Sequence, residues 1–459
     1  MKTIFITIFQ GVEAKNILRT GIYRRLIAEP DLCIVFFVRT PERAAYYRNE
    51  FSNPRVLYEA VDYRPREFWD RLLGFLKFHL IRTATTDLRR RMSAERSGRR
   101  IGYRLGLVLN RLFARPFWRR IARWLDRWFV HNRSFAAYFD TYQPDLVFLA
   151  HLFDDQEVSL LREAKRRGLP TVGFVNSWDK LTARCMMRLL PDTLLVYNDM
   201  VRQEALTHAD MAESDVRVVG IPQYDLYDNY RATPREEFMR RIGIDPKKRF
   251  FLYAPMGEAF STSDWDIIDL LHGWGSDGTL GEDEIDFLVR FQPNDTVAED
   301  EIRKRPWLHY DRPGTRFSAT RGTDWDMSES EMRHLADTLF HTSLLVCYAS
   351  SMSVDAAIFG KPVINIDFEI KPAARLIKSP TQFYGMEHYQ KALRTGGIRL
   401  VRSAEELAQW VRRYLDDSTL DRQGRARLVR EQCGVMDGNA SRRIAQIILE
   451  SAGRKGPRS

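Results

Sequence analysis

Residues 343–368 read S-L-L-V-C-Y-A-S-S-M-S-V-D-A-A-I-F-G-K-P-V-I-N-I-D-F, and this stretch decides the fold. Residues 344–348 form a short apolar run of the kind that is buried in a parallel sheet, and residues 363–366 form a second one. An amphipathic segment of helical length lies between the two runs. The stretch therefore predicts a strand, a turn, a helix and a second strand, which together make one βαβ unit.

A serine-rich turn, Ser350, Ser351 and Ser353, lies where the first of these strands gives way to the helix. Backbone N–H groups are unpaired at the beginning of a helix, and the partial positive charge there favours anions. Asp355, one turn into the helix, can accept hydrogen bonds from sugar hydroxyls. The turn predicts a phosphate site, and the alternative is that Ser350 is an ordinary N-cap and Asp355 an ordinary first-turn acid.

The composition indicates a globular protein of more than one domain. A chain of 459 residues exceeds what one hydrophobic core usually supports, so two domains of roughly 200 residues each are expected. Its four cysteines stand singly, which fits a reducing compartment and argues against a disulfide framework or a zinc site. No apolar run approaches the roughly 20 residues of a membrane-spanning helix, and the first residues read as a buried strand.

Strand and helix patterns alternate over most of the chain. We predict an α/β fold of two Rossmann-like domains that face each other across a cleft. An N-terminal domain is expected over 1–230, a C-terminal domain over 247–450, and a disordered basic tail over 451–459. Strands are predicted at 3–9, 32–38, 56–61, 145–150, 170–175, 193–197, 216–219, 249–253 and 286–291.

The alternation breaks between about residue 65 and residue 142, where a long helical stretch is rich in arginine and aromatic residues. Residues 71–133 contain 17 Lys and Arg against three acids, so this insertion carries the whole basic excess of the chain. We therefore expect an anionic partner to bind here locally.

One predicted helix of the insertion has an apolar side that contains Phe117 and Ile121 and an opposite side of arginines. This pattern is typical of a helix that lies in a membrane interface. An ordinary helix that packs its apolar side on the domain is the alternative, and no nucleic-acid-binding module is recognisable. The residues assigned to the membrane surface are Trp118, Arg119, Arg120, Arg123, Trp124, Arg127 and Trp128.

Five segments, taken in order, carry a family resemblance. They read V-G-I-P-Q-Y-D (219–225), L-Y-A-P (252–255), V-R-F-Q-P (289–293), Y-A-S-S-M-S-V-D-A-A-I-F-G-K-P-V-I (348–364) and D-G-N-A-S-R-R-I (437–444). The set resembles the second domain of GT-B-fold transferases, nearest in pattern to CDP-glycerol glycerophosphotransferase-like and surface-polysaccharide glycosyltransferases. The loop S-W-D-K-L-T (177–182) resembles an element of uncharacterised proteins in that broad group. The insertion is not explained by the resemblance.

The resemblance implies a nucleotide-sugar donor site and no bound cofactor or metal. One of its positions differs from the pattern, because Gln292 stands where the glycerophosphotransferases have a histidine, which leaves an amide for binding. Arg290 is the cation expected to neutralise the leaving phosphate. The remaining donor-binding residues are implied to be Ser350, Ser351, Ser353 and Asp355 on one side, and Gly257, Glu258 and Ser261 on the other.

A transferase also needs a base that takes the proton from the acceptor hydroxyl. In an open α/β sheet such residues lie in the loops beyond the carboxyl ends of the strands. The candidates are Asp179, Glu13, His151 and Asp155, and Trp178 beside Asp179 is placed to stack on an acceptor sugar. Helix capping would explain Glu13 and Asp155 equally well, and His151 would also fit as a satisfied strand-end histidine.

The resemblance thus implies a glycosyltransferase. Together with the amphipathic insertion helix, it leads us to expect a cytoplasmic enzyme that is peripheral on the inner face of the cytoplasmic membrane. It would move a sugar from a nucleotide-activated donor to a lipid-linked or surface-polysaccharide acceptor. Three alternatives remain open at this point. They are a CDP-glycerol-type glycerophosphotransferase, a UDP-sugar 2-epimerase-like isomerase and a noncatalytic membrane-associated binding protein.

Overall fold

The protein folds into two units. A computed structural model describes residues 1–61, 63, 67–98, 100–280, 285–317 and 325–453. Unit 1 contains the described residues of Met1–Ala94, Arg99–Asp228 and Gly434–Ser459, and unit 2 contains those of Glu95–Gly98 and Asn229–Cys433.

Unit 1 is built on a seven-stranded sheet in which every neighbouring pair of strands is parallel. The order across the sheet is β3-β2-β1-β4-β5-β6-β7, so the direction of winding reverses between β1 and β4. Buried aliphatic and aromatic residues fill these strands, which is the composition of a sheet covered on both faces. The strands are β1 (Lys2–Thr7), β2 (Leu32–Val38), β3 (Val56–Ala60), β4 (Leu146–Leu149), β5 (Thr171–Phe174), β6 (Thr193–Val196) and β7 (Val216–Val218).

The helices of unit 1 follow its strands, apart from a group of five between β3 and β4. Short 3₁₀ turns lie over Glu213–Asp215 and Pro222–Tyr227. The α-helices up to this point are α1 (Gly11–Ile17), α2 (Gly21–Ala28), α3 (Pro41–Glu50), α4 (Phe68–Leu76), α5 (Ala84–Ser97), α6 (Arg100–Phe113), α7 (Pro116–Phe129), α8 (Ala136–Tyr142), α9 (Asp155–Arg166), α10 (Lys180–Ala183) and α11 (Asp199–His208).

Unit 2 repeats the same winding on a six-stranded parallel sheet of order β10-β9-β8-β13-β14-β15. Its reversal lies between β8 and β13. The strands are β8 (Arg249–Ala254), β9 (Ile285–Arg290), β10 (Tyr310–Asp311), β13 (Leu345–Cys347), β14 (Val363–Ile366) and β15 (Arg399–Val401), and the antiparallel pair β11 (Thr315–Arg316) and β12 (Trp325–Asp326) stands apart. The helices are α12 (Arg235–Arg241), α13 (Asp264–Ser276), α14 (Glu299–Arg303), α15 (Glu329–His341), α16 (Met352–Ile358), α17 (Glu387–Leu393), α18 (Ala404–Asp416) and α19 (Arg422–Cys433), with 3₁₀ turns at Leu376–Lys378 and Pro380–Gly385.

The last helix, α20 (Ala440–Gly453), returns to unit 1, although the sequence had placed it in the second domain. It packs on α2, β4 and β5, and the backbone N–H groups of Ala440 and Ser441 donate to the Asp225 carboxylate at 3.0 and 2.8 Å. Two of the five family-like segments therefore meet at this joint. Residues 451–453 end the helix, and the rest of the predicted disordered tail lies outside the described residues.

The five helices between β3 and β4, α4 to α8, form the predicted insertion. A buried ion network fixes it to the sheet. The Asp126 carboxylate of α7 lies 2.6 Å from both the Arg162 and the Arg188 guanidinium, and Arg188 also lies 2.8 Å from Asp70 of α4. Removing one partner from such a buried network leaves an uncompensated charge, which typically costs about 3–5 kcal/mol.

The fold class predicted from the sequence is confirmed, since both units are Rossmann-like α/β folds and the first carries a helical basic insertion. All four cysteines are free, at positions 33, 185, 347 and 433. In the part of the chain that the structure describes, no helix is both long enough and apolar enough to cross a bilayer.

Candidate functional site

Glu13 lies at the point in unit 1 where the winding of the sheet reverses, which is where open α/β sheets bind ligands. It belongs to α1, directly after β1, and the Gln10 backbone N–H donates to Glu13 Oε2 at 3.1 Å. The side chain is fully buried, and Oε1 has no hydrogen-bond partner among the described residues. Burial raises the pKa of Glu13 well above its usual value, and the nearby Glu157 and Asp154 carboxylates raise it further.

The loop after β4 is held in a strained form by Glu157. The Thr7 hydroxyl and the Leu152 backbone N–H donate to this buried carboxylate, and the His151 N–H donates to it at 3.0 Å. Leu152 has φ of 71°, a left-handed conformation that is rare for a branched residue. Burial raises the pKa of Glu157 to about 7, while the hydrogen bonds from Thr7 and Leu152 lower it. This arrangement fixes the position of His151.

His151 and Lys180 form a buried pair beside Glu13. Lys180 Nζ lies 2.7 Å from His151 Nε2, and the Phe153 backbone N–H donates to His151 Nδ1 at 3.3 Å. Burial, and then repulsion from Lys180, lowers the pKa of His151 well below its usual value, so the imidazole is neutral near pH 7. Burial, followed by repulsion from Arg184, lowers the pKa of Lys180 to about 8.

Glu13, His151 and Asp154 are also the residues in the described chain that could hold a metal ion. One ligand atom from each lies within 4.8 Å of the other two. The positive charge of Lys180, at hydrogen-bond distance from the histidine, opposes a divalent cation at this place. Asp154 is in addition engaged by the Gln10 side-chain amide, which donates to its Oδ2 at 2.6 Å. Both contacts therefore oppose a divalent cation between these three side chains.

The other predicted base candidates make contacts of their own, although Asp179 directly precedes Lys180 and its charge raises the pKa of that lysine against the effect of burial. Asp155 is 2.8 Å from Lys77 Nζ and 3.1 Å from an Arg188 guanidinium nitrogen, so it anchors the insertion. Asp179 is the N-cap residue of α10, half-buried, and the Ser177 hydroxyl donates to its Oδ1. Trp178 is half-buried beside it. The structure thus brings Glu13 and His151 together and adds Lys180 and Asp154, which the sequence analysis missed.

In unit 2, Asp264 organises the loop after β8. The Gly257 backbone N–H donates to its Oδ2 at 2.7 Å, and the Met256 N–H donates to its Oδ1 at 3.3 Å. Burial raises the pKa of Asp264 to about 6, against the hydrogen bond from Gly257. The Gln292 side-chain amide donates to the Met256 carbonyl at 2.8 Å. Gln292 therefore supports the loop.

Gly257 is required in this loop for two reasons. Its φ of 90° lies in the left-handed region, and a Cβ atom there would lie 2.3 Å from Asp295 Oδ2. The predicted donor residues Gly257, Glu258 and Ser261 line a cavity of about 370 Å³, whose lining combines apolar side chains with several acids. Its other lining residues are Pro255, Thr262, Asp264, Trp265, Phe291, Asp295, Thr296, Val297, Ala298, Asp300, Glu301 and Lys378.

The serine-rich turn lies after β13, on the other side of the reversal in unit 2, and is not part of that cavity lining. Ser353 is buried, and its hydroxyl lies 3.0 Å from the Tyr389 hydroxyl. The Met352 N–H donates to Ser350 Oγ at 3.2 Å, and Asp355 is buried. Ser351 is exposed. Of the three predicted phosphate-binding serines, Ser351 thus offers a hydroxyl to solvent, whereas Ser353 braces the turn.

Arg290 pairs with Asp311 at 2.9 Å and lines a separate cavity of about 280 Å³ with His334. His334 Nε2 lies 2.9 Å from the same carboxylate. Hydrogen bonding to His334 and the charge of Arg290 keep the pKa of Asp311 low in spite of burial. Arg290 is therefore held by an ion pair, and its predicted role at a leaving phosphate remains a prediction.

In the insertion, the structure corrects the predicted basic side of α7. Arg119 and Arg123 face inward, where they lie 2.6 and 2.7 Å from the Asp210 carboxylate. Trp118 is half-buried, with its ring 4.9 Å from that of Phe113. These side chains do not line the exposed side of the helix because they hold the insertion on unit 1. Arg120, Trp124, Arg127 and Trp128 are exposed.

Comparison with solved structures identifies this architecture. The chain is similar to a UDP-GlcNAc 2-epimerase from Neisseria meningitidis bound to UDP-GlcNAc, with 12% identity and a TM-score of 0.54 over 98% of this chain and 100% of that one. The fold is of the GT-B type. A second UDP-N-acetylglucosamine 2-epimerase gives 12% identity and a TM-score of 0.52 over 99% and 97% of the two chains.

The wall teichoic acid polymerase TagF, in a structure soaked with CDPG, gives 12% identity and a TM-score of 0.51 over 98% of this chain and 89% of that one. No family model matches the sequence, and a comparison with curated proteins finds no match. At these identities the likeness concerns the fold alone, and it confirms the GT-B-like fold that the sequence predicts.

Proposed function

We propose that the protein is a glycosyltransferase that moves a sugar from a nucleotide-activated donor to a lipid-linked or surface-polysaccharide acceptor. The observation that carries the proposal is Glu13, a buried carboxyl with one unpartnered oxygen beside the His151–Lys180 pair. It lies at the reversal of the unit 1 sheet in a GT-B fold. The solved structures of this fold that contain UDP-GlcNAc or CDPG support a nucleotide-linked donor.

Glu13 is the proposed base. Its raised pKa makes its carboxylate a stronger proton acceptor than an exposed one. The acceptor hydroxyl gives its proton to Glu13, and the hydroxyl oxygen forms a bond to the anomeric carbon of the donor. The bond from that carbon to the phosphate oxygen breaks, and the nucleoside diphosphate leaves with the electron pair.

His151 and Lys180 are positioning residues in this proposal. Because His151 is neutral, it adds no positive charge beside Glu13. The positive charge of Lys180 instead stabilises the carboxylate form of Glu13. Ser351 and the Gly257 loop of unit 2 are the proposed contacts to the nucleotide. Asp179, Asp155 and Trp178 are less well supported as catalytic or acceptor groups.

A two-part experiment tests this function. Thermal shift with UDP, GDP, CDP, dTDP and CMP identifies the nucleotide, since a ligand at 100 times its Kd stabilises a fold by about 2.7 kcal/mol. The matching nucleotide-sugar is then incubated with a polyprenyl-phosphate-linked sugar, and both released nucleoside diphosphate and acceptor-bound sugar are measured. Both products are expected from the wild type. Nucleotide binding without acceptor-dependent product would contradict the transferase proposal.

The same assay separates the alternatives. An isomerase, which the similarity to two 2-epimerases favours, would form a new sugar isomer without any acceptor. A glycerophosphotransferase, which the TagF similarity favours, would release CMP and place phosphorus in the acceptor product. A noncatalytic protein would bind a nucleotide and form none of these products.

A further inference from the structure

The exposed apolar residues of this protein are concentrated in the insertion. Of the 18 large hydrophobic side chains that are exposed among the described residues, 12 lie between Phe68 and Phe129. Scattered single hydrophobic residues are normal on a surface, whereas a continuous group marks an interaction site. The insertion therefore needs an explanation that goes beyond the proposed transfer reaction.

The orientation of α7 is the first step of the argument. Phe117, Trp124 and Trp128 are 63, 57 and 61% exposed and fall within about 60° of the helix circumference. The opposite side is buried and contains Asp126 and Arg119, both in ion pairs with unit 1. The helix thus presents its large aromatic side chains to solvent, whereas the side toward the protein carries this charged pair together with the small apolar Ala122. An ordinary amphipathic helix packed on a domain has the reverse arrangement.

Helix α6 has the same layout. Ile101, Leu105 and Leu112 are 77, 59 and 55% exposed, and together with Val108 and Leu109 they lie within about 100° of the circumference. The opposite side is buried, because the Asn110 side chain donates to the His79 carbonyl at 2.8 Å.

Contacts join α4, α6 and α7 into one layer. The Trp69 ring of α4 lies 5.0 Å from the Phe129 ring of α7, and the Phe113 ring of α6 lies 4.9 Å from the Trp118 ring of α7. Asn110 connects α6 to the residues after α4. Phe75 of α4 is 60% exposed as well. We call the exposed side chains of these three helices the insertion surface.

The exposed charged side chains of the three helices that form the insertion surface are all arginines among the residues that the structure describes. In each of α6 and α7, two exposed arginines border the apolar stripe. They are the fifth and twelfth residues of the helix, Arg104 and Arg111 in α6 and Arg120 and Arg127 in α7. Among the described residues of 67–133, Glu95 is the one fully exposed acid, because the others are buried or half-buried. An apolar stripe with tryptophans, bordered by arginines, matches a bilayer whose headgroups are anionic.

We propose that the insertion surface docks on an anionic lipid bilayer, with Phe117, Trp124, Trp128 and the α6 stripe inserted among the lipids. Arg104, Arg111, Arg120 and Arg127 bind the lipid phosphates. The docking does not depend on the transfer reaction, so it can stand or fall separately from the proposed function.

Vesicle co-sedimentation tests the proposal. The full chain is mixed with vesicles of phosphatidylcholine alone or of phosphatidylcholine with phosphatidylglycerol, at low and high salt. Binding is expected to the anionic vesicles, to weaken at high salt, and to fall at least about tenfold in Trp124→Ala/Trp128→Ala, since 1.4 kcal/mol corresponds to a tenfold change. Arg120→Gln/Arg127→Gln should reduce the salt dependence.

The matched control is Phe340→Ala/Ile370→Ala, which removes two exposed apolar side chains of unit 2 that are 44 and 40% exposed. It should bind vesicles like the wild type. Thermal unfolding of each variant shows whether the fold is intact, and Trp124→Phe/Trp128→Phe should restore binding if a tryptophan variant is misfolded. Equal binding of all variants would overturn the proposal. So would a wild-type dimer that the tryptophan substitutions convert to a monomer without any loss of vesicle binding.

Discussion

The two sheets reverse their winding in the same way, yet the two reversal points differ in what they contain. In unit 1 the point is filled by buried ionisable groups, with Glu13, His151 and Lys180 packed against one another. In unit 2 the reversal point has a loop around Gly257 beside a cavity. The buried Asp264 carboxylate accepts a hydrogen bond from the Gly257 backbone N–H and so holds that loop. The same topology thus holds a buried cluster of ionisable groups in one unit and a loop beside a cavity in the other, to which the proposed function assigns proton transfer and ligand binding.

The difference has a physical origin in hydrogen bonding, because both carboxyls are buried. A carboxyl without a hydrogen-bond partner for one oxygen, as in Glu13, is destabilised as an anion and so is ready to take a proton. A carboxyl that accepts backbone N–H bonds, as in Asp264, instead fixes the shape of a loop. Substitutions in unit 1 should therefore change mainly the turnover rate, whereas substitutions in the unit 2 loop should change mainly the affinity for the nucleotide.

The largest effect is expected from Glu13→Gln. The amide keeps the size and the hydrogen bond from Gln10 but cannot take a proton, so turnover should fall by about 100- to 10,000-fold. Nucleotide affinity should not change. Initial rates and calorimetric binding measure the two quantities, and Glu42→Gln, an exposed acid on α3, serves as the control. A variant with more than half of the wild-type rate would exclude Glu13 as the base.

Lys180→Met is expected to change the pH dependence of both stability and rate. The folded-state pKa of Lys180 is about 8, below its usual 10.5, so between these values the unfolded chain binds more protons and the wild type gains stability as pH rises. The gain is about 3 kcal/mol and should be absent in the variant. Urea unfolding at a series of pH values measures the slope.

Loss of the Lys180 charge also raises the pKa of Glu13, because that charge favours its carboxylate form. The acid limb of the rate profile should therefore move to higher pH in Lys180→Met. Lys180→Arg keeps the charge and should leave the limb in place. A limb that does not move in either variant would show that Glu13 and Lys180 act independently.

Gly257→Ala is expected to have a smaller effect, confined to unit 2. The backbone strain at positive φ costs about 1–3 kcal/mol, and the new Cβ would displace Asp295. Gly360→Ala is a matched control, since φ is 70° there and nothing lies within 4 Å of the new Cβ. Nucleotide affinity should fall by about tenfold or more in the first variant, a loss of about 1.4 kcal/mol, and stay constant in the second. Equal affinities would place the nucleotide elsewhere.

The smallest effect is expected from Ser351→Ala. A single hydrogen bond contributes about 0.5–1.5 kcal/mol, so the Kd of the nucleotide should rise by about 2- to 13-fold. Ser418→Ala, at another exposed serine of unit 2, should leave the Kd unchanged. If the two substitutions are indistinguishable, the serine-rich turn has a structural role and the cavity beside Gly257 binds the nucleotide without it.

Much of the fold could be predicted from the sequence because its strands are continuous apolar runs. Leu32–Val38 and Val363–Ile366 have the predicted bounds, and the break of the alternation correctly marked the insertion. The short strand β15 and the helix α13 were missed. The return of α20 to unit 1 could not be foreseen, since it depends on contacts more than 200 residues apart, such as that from Ser441 to Asp225.

The site was less accessible to sequence reasoning. Glu13 and His151 were candidates because each follows a strand, but their proximity depends on the order of strands in the sheet. Lys180 stood inside a quoted motif and was overlooked because an isolated lysine in a loop usually faces solvent. The direction of Arg119 and Arg123 was misjudged because a helical wheel shows which residues share a side and not which side faces the protein.

The packing of α20 on unit 1 has a consequence for biosynthesis. Unit 1 begins earlier in the chain than unit 2, yet Asp225 meets its partners Ala440 and Ser441 only after the residues of unit 2 have been synthesised. Unit 2 can therefore complete its core earlier than unit 1. A chain that ends shortly before residue 440 would lack the helix that covers β4 and β5. Chaperones are expected to bind such incomplete chains.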